Sequence, residues 1–398
     1  MSGNFKHSGL ILLSGVDSAG VTEKLFGVLA PFNIEILDFE QVVIRERLIL
    51  TVLIGLDIAH QDAIEEDLLK AFTGSEIDIA LDFSSEDGNK ATDSNLHIVA
   101  LAASITPSAI AQIAAVVKKY KGNIDRVRRT ASFPVTALEF DITAQITKEN
   151  LKPLRSELAE ISSNSGVDIA VQLGGLTRRA KQIVMLDMDS TLIREEVIDL
   201  LAEMAGQGEK VKAITERAMR GEIDFETSLR ERVGALDGAD SQIITKAAET
   251  ITLTPGARTL IKTLHKLGHK VAVVSGGFID VIEPLLKSLN IDFYRANKLE
   301  IIDGKLTGKL LGEIIDREAK ASALIEFSKS EGVSLDQTIA IGDGANDLGM
   351  IEIAGLGIAF NAKPKVKAAA DASINTPYLD SVLYLMGITR EEIENSSN

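Results

Sequence analysis

Hydrophobic positions along this chain follow two different rhythms, and the change between them falls near residue 180. From residue 9 to 83 the pattern predicts a strand at 10–13, a helix at 21–32, strands at 34–44 and 48–55, a helix at 63–72 and a strand at 77–83. In the first helix Val21, Leu25, Val28, Leu29 and Phe32 form one apolar stripe at helical spacing. Residues 96–173 repeat the order: strand 96–103, helix 108–120, strands 124–133 and 135–142, helix 148–162 and strand 167–173. Each half is a βαββαβ unit, the arrangement of a ferredoxin-like sandwich. The polar stretch Ser84–Ser94 between them has linker composition, and Gly174-Gly175-Leu176-Thr177 closes the pair.

From Gln182 onward the rhythm becomes strand, helix, strand, with apolar runs of the kind buried on both faces. This predicts an α/β domain with a Rossmann-like, doubly wound parallel sheet. Ile183–Leu186 runs into Asp187-Met188-Asp189, Lys270–Val274 into Ser275-Gly276-Gly277, and Thr338–Ile341 into Gly342-Asp343-Gly344-Ala345-Asn346-Asp347. In open parallel sheets ligands bind beyond the carboxyl ends of strands, so these exits are candidate site positions. Asp187 and Asp189, two residues apart, face the same side of an extended backbone. A helical stretch at about 194–249, in which Val197, Leu200, Leu201 and Met204 share a face, follows the first of these strands and is expected to cap the site. Asp303-Gly304 between residues 299–302 and 305–307 predicts a tight hairpin.

Composition narrows the function. A length of 398 residues suits about two or three domains, here 1–84, 95–175 and 181–398. The net charge of −16 argues against a nucleic-acid partner, which calls for a basic footprint. The absence of cysteine excludes disulfides, thiolate metal sites and a cysteine nucleophile. No apolar run reaches the roughly 18 residues of a membrane span, and Met1–Lys6 lacks a charged-then-apolar signal pattern. A soluble cytoplasmic protein is expected.

Two carboxylates held this close call for a cation, a shared proton or both. Strand ends that supply Asp/Asp, Ser/Gly and Asp/Asp, with Lys320 in Asp316–Lys320 between them, resemble the four motifs of the haloacid-dehalogenase-type phosphohydrolases. The resemblance runs from about Lys181 to the C-terminus. It implies Asp187 as the nucleophile forming an aspartyl-phosphate, and Asp189 as general acid and then base. It also implies Mg²⁺ held by the Asp187 carboxylate, the Asp189 backbone carbonyl and Asp343, with Asp347 behind them. Ser275 and the Gly276 N–H would hold a phosphate oxygen, and Lys320 would balance the negative charge.

The run from Asp187 to Glu196 is more similar to phosphoserine phosphatases than to other members of the superfamily. On that resemblance Glu196 takes the substrate ammonium, Met219 and Phe225 close over the substrate, Arg232 takes its carboxylate and Asn346 completes the binding set. The expected substrate is O-phospho-L-serine and the product L-serine, the last step of serine synthesis. Two other readings stay open: transfer of the phosphoryl group to another alcohol such as homoserine, and a catalytically silent amino-acid-binding regulator.

The loop Ser14–Thr22 resembles the first turn of ACT domains, which often bind amino acids between subunits. Asp17 and Gly20 are the candidate regulatory residues there, and a homodimer with serine feedback is the implied arrangement. The corresponding stretch of the second unit, Ala103–Ala109, has neither the Asp nor the Gly, so ligand binding is not expected there.

Overall fold

The computed structural model describes residues 7–85, 95–146, 148–175, 178 and 180–397, so all but the first two residues of the expected linker (86–94), Leu176 and Thr177 of the expected closing stretch, and Met1–Lys6 lie outside the described residues. The chain divides into two compact units, 1–92 and 93–398.

The first unit contains β1 (His7–Val16), α1 (Val21–Leu29), β2 (Ile34–Ile44), β3 (Arg47–Leu56), α2 (Gln61–Phe72) and β4 (Ile77–Ser85). Its strands form an antiparallel sheet ordered β2-β3-β1-β4. Alternate residues Ile11, Leu13, Leu50, Val52 and Ile54 meet Leu25 and Leu29 of α1 and Ile64 and Leu68 of α2 in one core. Helix α1 ends at Leu29, short of the expected Phe32. Pro31 lacks the N–H that the next turn would need.

The second unit opens with β5 (Leu96–Ala102), α3 (Pro107–Lys119), β6 (Asn123–Ala131), β7 (Thr136–Thr143), α4 (Lys148–Ser165) and β8 (Asp168–Leu173), the predicted repeat. The α/β core follows, with parallel strands β9 (Ile183–Leu186), β10 (Lys270–Phe278) and β11 (Phe293–Ile302). Strand β12 (Lys305–Leu311) returns antiparallel through Asp303 and Gly304, whose φ angles of 50° and 76° are those of the hairpin predicted there. The sheet is completed by β13 (Thr338–Gly342), β14 (Leu356–Phe360) and β15 (Ala372–Ile374). Its order through the core is β11-β10-β9-β13-β14-β15, all parallel. Order reverses between β9 and β13, which places the ligand crevice beyond their carboxyl ends. Successive residues of β9 enter different cores, Val184 and Leu186 one face, Ile183 and Met185 the other, so the strand is buried on both sides.

One sheet crosses the boundary expected near residues 175–181. β8 pairs antiparallel with β15 through Ala170 and Ala372, making eleven strands in all. The Asp168 carboxylate accepts hydrogen bonds from the Asn375 and Thr376 backbone N–H groups and from Asn375 Nδ2. Arg155 pairs with Asp371, and Gln172 donates to the Leu385 carbonyl at 2.8 Å. Val99, Leu101, Ala137 and Ala170 share a core with Val382, Leu383 and Leu385. Among the described residues no helix is long and apolar enough to cross a membrane.

Candidate active site

Each candidate side chain is placed by a local feature of the sequence. Asp187 follows the last residue of β9 and is 4% exposed. Met188 turns into the core, while Asp187 and Asp189 both line one cavity. Ser190 adopts φ 56°, an uncommon conformation for a residue with a side chain, and its Oγ donates to Glu196 Oε1 at 2.7 Å. Ser275, fully buried near the end of β10, accepts the Gly277 N–H at 2.8 Å. A Cβ on Gly276 would lie 3.2 Å from the Phe225 ring, and one on Gly277 3.2 Å from Asp189 Oδ2. A larger residue at either position would have to push these side chains back.

The helix Arg317–Ser330 is capped by Asp316, whose Oδ1 accepts the Ala319 N–H at 2.8 Å. That cap aims Lys320 at the strand ends. Its Nζ lies 2.6 Å from Asp187 Oδ1 and 2.7 Å from Asp347 Oδ1, with no exposure. Asp347 uses Oδ2 to accept the Asp343 and Gly344 N–H groups at 3.1 and 2.9 Å. Gly342 permits this, because a Cβ there would sit 2.3 Å from Asp347 Cγ.

Burial raises Asp187 well above the usual carboxylate range, and the Asp347 charge adds to it although Lys320 pulls the other way. Asp189 is raised by burial and then by Glu196, and its Oδ1 has no hydrogen-bond partner among the described residues. Asp343 is pushed up to about 7 by burial and by Asp347 and Glu196. Burial disfavours the Lys320 charge, yet Asp187 and Asp347 outweigh it and hold that ammonium above its ordinary value. Carboxylate oxygens of Asp187, Asp343 and Asp347 lie within 4.8 Å of one another. One lysine cannot balance them, and an all-oxygen set of this kind fits a hard divalent cation such as Mg²⁺. Both Asp347 oxygens are already engaged, which leaves Asp187 and Asp343 as the carboxylates to hold it.

Four helices follow β9 in the region predicted to be a helical cap: α5 (Val197–Met204), α6 (Gly208–Met219), α7 (Phe225–Gly234) and α8 (Gln242–Thr250). Residues of α5, α6 and α7 line a cavity of about 770 Å³ together with the strand ends. Asp187, Asp189, Glu196, Met219, Phe225, Arg232, Gly276, Asp343 and Asn346 all line it, so sequence-predicted residues from distant parts of the chain converge. Met219 stands at the rim, 68% exposed. Burial lowers the Arg232 guanidinium somewhat, against the attraction of Glu196, Asp199 and Asp189.

Sequence reasoning missed several contributors. Asn297, buried, donates to the Gly276 carbonyl at 2.8 Å and accepts the Ile315 N–H, so it fixes the backbone at Gly276. Lys363 and Lys365 line the cavity just beyond β14, another carboxyl end that could have been read as a site position. Asp199, beside Arg232, and Ser228 also went unread.

In the first unit, Ser18, Ala19, Gly20, Val21 and Lys24 line a separate cavity of about 350 Å³. Gly20 precedes α1 with φ 94°, and nothing lies within 4 Å of where its Cβ would be. Backbone conformation, rather than crowding, therefore demands glycine there. Asp17 is not among the residues lining this cavity; its N–H donates to the Glu46 carbonyl at 2.8 Å.

Comparison with known proteins agrees with this architecture. Residues 184–352 match the haloacid dehalogenase-like hydrolase family, and residues 8–84 and 94–172 each match an ACT domain. The phosphoserine phosphatase of Mycobacterium tuberculosis is 46% identical over 98% of this chain and 95% of its own length. That of Streptomyces coelicolor is 46% identical over 97% and 93%, and that of Streptococcus thermophilus 49% identical over 52% and 96%. Among solved structures, a probable phosphoserine phosphatase from Vibrio cholerae superposes with a TM-score of 0.58 at 34% identity, covering 75% of this chain and 88% of the other. A haloacid-dehalogenase family hydrolase from Salmonella enterica gives 0.63 at 29% identity, covering 73% and 98%. Identity of 46% over nearly the full length, a matched hydrolase domain and two ACT domains ahead of it establish that the chain belongs to the phosphoserine phosphatases of the haloacid dehalogenase-like hydrolases.

Proposed function

We propose that the protein hydrolyses O-phospho-L-serine to L-serine and phosphate through an aspartyl-phosphate on Asp187. The observation that carries this reading is one cavity holding both a phosphoryl-transfer set and a pair of opposite charges, Glu196 and Arg232, suited to the two ends of an amino acid. The Met188 N–H at 2.7 Å and Lys320 at 2.6 Å both meet Asp187 Oδ1 and hold the carboxylate in place for attack on phosphorus. Asp189, whose burial favours the protonated form, gives its proton to the leaving serine oxygen and then takes one from the attacking water. Ser275 and the Gly276 N–H hold a phosphate oxygen, while Lys320 restrains Asp187 and offsets charge. Asp187, the Asp189 carbonyl and Asp343 would hold Mg²⁺, which neutralises the phosphate oxygens when bound.

The deciding measurement is phosphate release with Mg²⁺ over a panel of phosphorylated metabolites. O-phospho-L-serine should lead without any added acceptor. A requirement for an added alcohol would favour phosphotransfer, and silence toward every phosphate ester would favour a regulator. Feedback by L-serine at the first ACT unit, in a homodimer, is the regulatory part of this proposal, supported by the Gly20 turn and the cavity beside it.

A further inference from the structure

Helix α7 lines the active-site cavity with Phe225, Ser228, Leu229 and Arg232, a single face at helical spacing. Asp224 sets that face, because its Oδ1 accepts the Thr227 N–H at 2.7 Å and fixes the start of the helix. Phe225 and Leu229 give the wall its apolar part, and Arg232 its charge. Ser228 is different in kind. It is 2% exposed, and its hydroxyl has no hydrogen-bond partner among the described residues. A helical serine ordinarily bonds the carbonyl one turn back. Here the Asp224 carbonyl receives the Ser228 backbone N–H at 3.0 Å, and the side chain stays apart. The Ser228 carbonyl accepts Arg232 Nε at 3.4 Å, so the guanidinium lies along the same turn.

A buried hydroxyl without a partner is a cost to the fold, and alanine would suit the helix better. That cost falls on a cavity wall, one turn from the cation that faces the substrate. We infer that Ser228 is a specificity residue whose hydroxyl donates to the substrate carboxylate beside Arg232. A carboxylate offers about four lone-pair directions. A guanidinium fork uses two of them, which leaves acceptor capacity for one further O–H. Glu196, at the N-cap of α5, serves the opposite end of the substrate, so the hydroxyl is not spent on the ammonium.

The inference rests on the amino-acid phosphate reading, and the test separates the two. Full-length wild type and Ser228→Ala are assayed with Mg²⁺ on O-phospho-L-serine and on O-phosphoethanolamine, which keeps the amine and lacks the carboxylate. Wild type must first prefer O-phospho-L-serine; equal use of both esters overturns the substrate reading itself. Given that preference, Ser228→Ala should lower kcat/KM on O-phospho-L-serine by about tenfold to a hundredfold, the range of a hydrogen bond to a charged group. The loss on O-phosphoethanolamine should be much smaller, and the variant should melt no lower than wild type. Unchanged kcat/KM on O-phospho-L-serine, or equal loss on both esters, overturns the specificity role.

Discussion

Lys320 and Asp347 form a fully buried ion pair, Nζ to Oδ1 2.7 Å apart, and neither side chain has any exposure. The other oxygen of Asp347 holds the backbone of Asp343 and Gly344. A single carboxylate thus orients both the cation that touches Asp187 and the loop that carries Asp343.

Lys320→Met is expected to abolish turnover and to cost roughly 3–5 kcal/mol of stability, the usual result of removing one partner of a buried pair. Urea unfolding of the variant beside wild type measures it. An unchanged midpoint and slope would show that the pair adds nothing to the fold.

Metal-free protein should lose stability as pH rises from about 4 to about 7. Asp343 is raised to about 7 in the folded state, so folding holds its proton more tightly than the unfolded chain does, and that advantage disappears as pH passes through the folded value. Added Mg²⁺ should flatten the slope, because the deprotonated carboxylates then have a partner. Thermal unfolding at several pH values with chelator and with Mg²⁺ checks this; parallel curves would remove Asp343 from the cation site.

Asp187→Asn should eliminate phosphate release, since an amide cannot carry the phosphoryl group. Asp189→Asn should slow both formation and breakdown of the intermediate, seen as a loss in burst rate and in steady-state rate. Near-normal turnover by Asp187→Asn would move the nucleophile elsewhere.

How much of this was legible depends on how far apart in the chain the cooperating residues lie. The strand exits at Asp187, Ser275 and Asp343 could be read because a run buried on both faces followed by polar residues is a local pattern. The Asp303-Gly304 hairpin was local too; Pro31, equally local, was passed over when the helix was extended to Phe32. The seam between the second ACT unit and the phosphatase was not local. Asp168 meets Asn375 across 207 residues, and β8 joins β15 through a single residue pair, too short a match to show as a pattern. Asn297 was missed for the same reason: a lone asparagine in a strand reveals nothing until the Gly276 carbonyl is placed beside it.

Arg232→Ala should cost roughly 2–5 kcal/mol in kcat/KM for O-phospho-L-serine, the range for truncating a buried partner of a charged group. A small neutral aryl phosphate, with no carboxylate to hold, should lose much less. Equal losses on both would assign Arg232 to holding α7 in place instead.

Serine feedback is best tested by leaving the second ACT unit intact. That unit shares its sheet and part of its core with the phosphatase, so cutting between them would strip cover from Val382, Leu383 and Leu385. Residues 1–92 form the other compact unit with its own core, and a chain beginning at Asp93 removes the first cavity alone. If L-serine acts there, this shortened enzyme should keep its kcat and lose inhibition, because an effector needs a site whose occupancy favours the less active state. Gly20→Val is a poor probe, since φ 94° would strain any larger residue whatever ligand is bound. Lys24→Ala is cleaner: Lys24 lines the cavity, with its ammonium 4.8 Å from the centre of the Phe72 ring, and is placed to meet a carboxylate. Full-length Lys24→Ala should need several-fold more L-serine for half inhibition, with kcat unchanged. Inhibition that stays equally strong in both variants and competes with substrate would place serine at Glu196 and Arg232 as product, and the first ACT unit would then serve assembly instead of sensing.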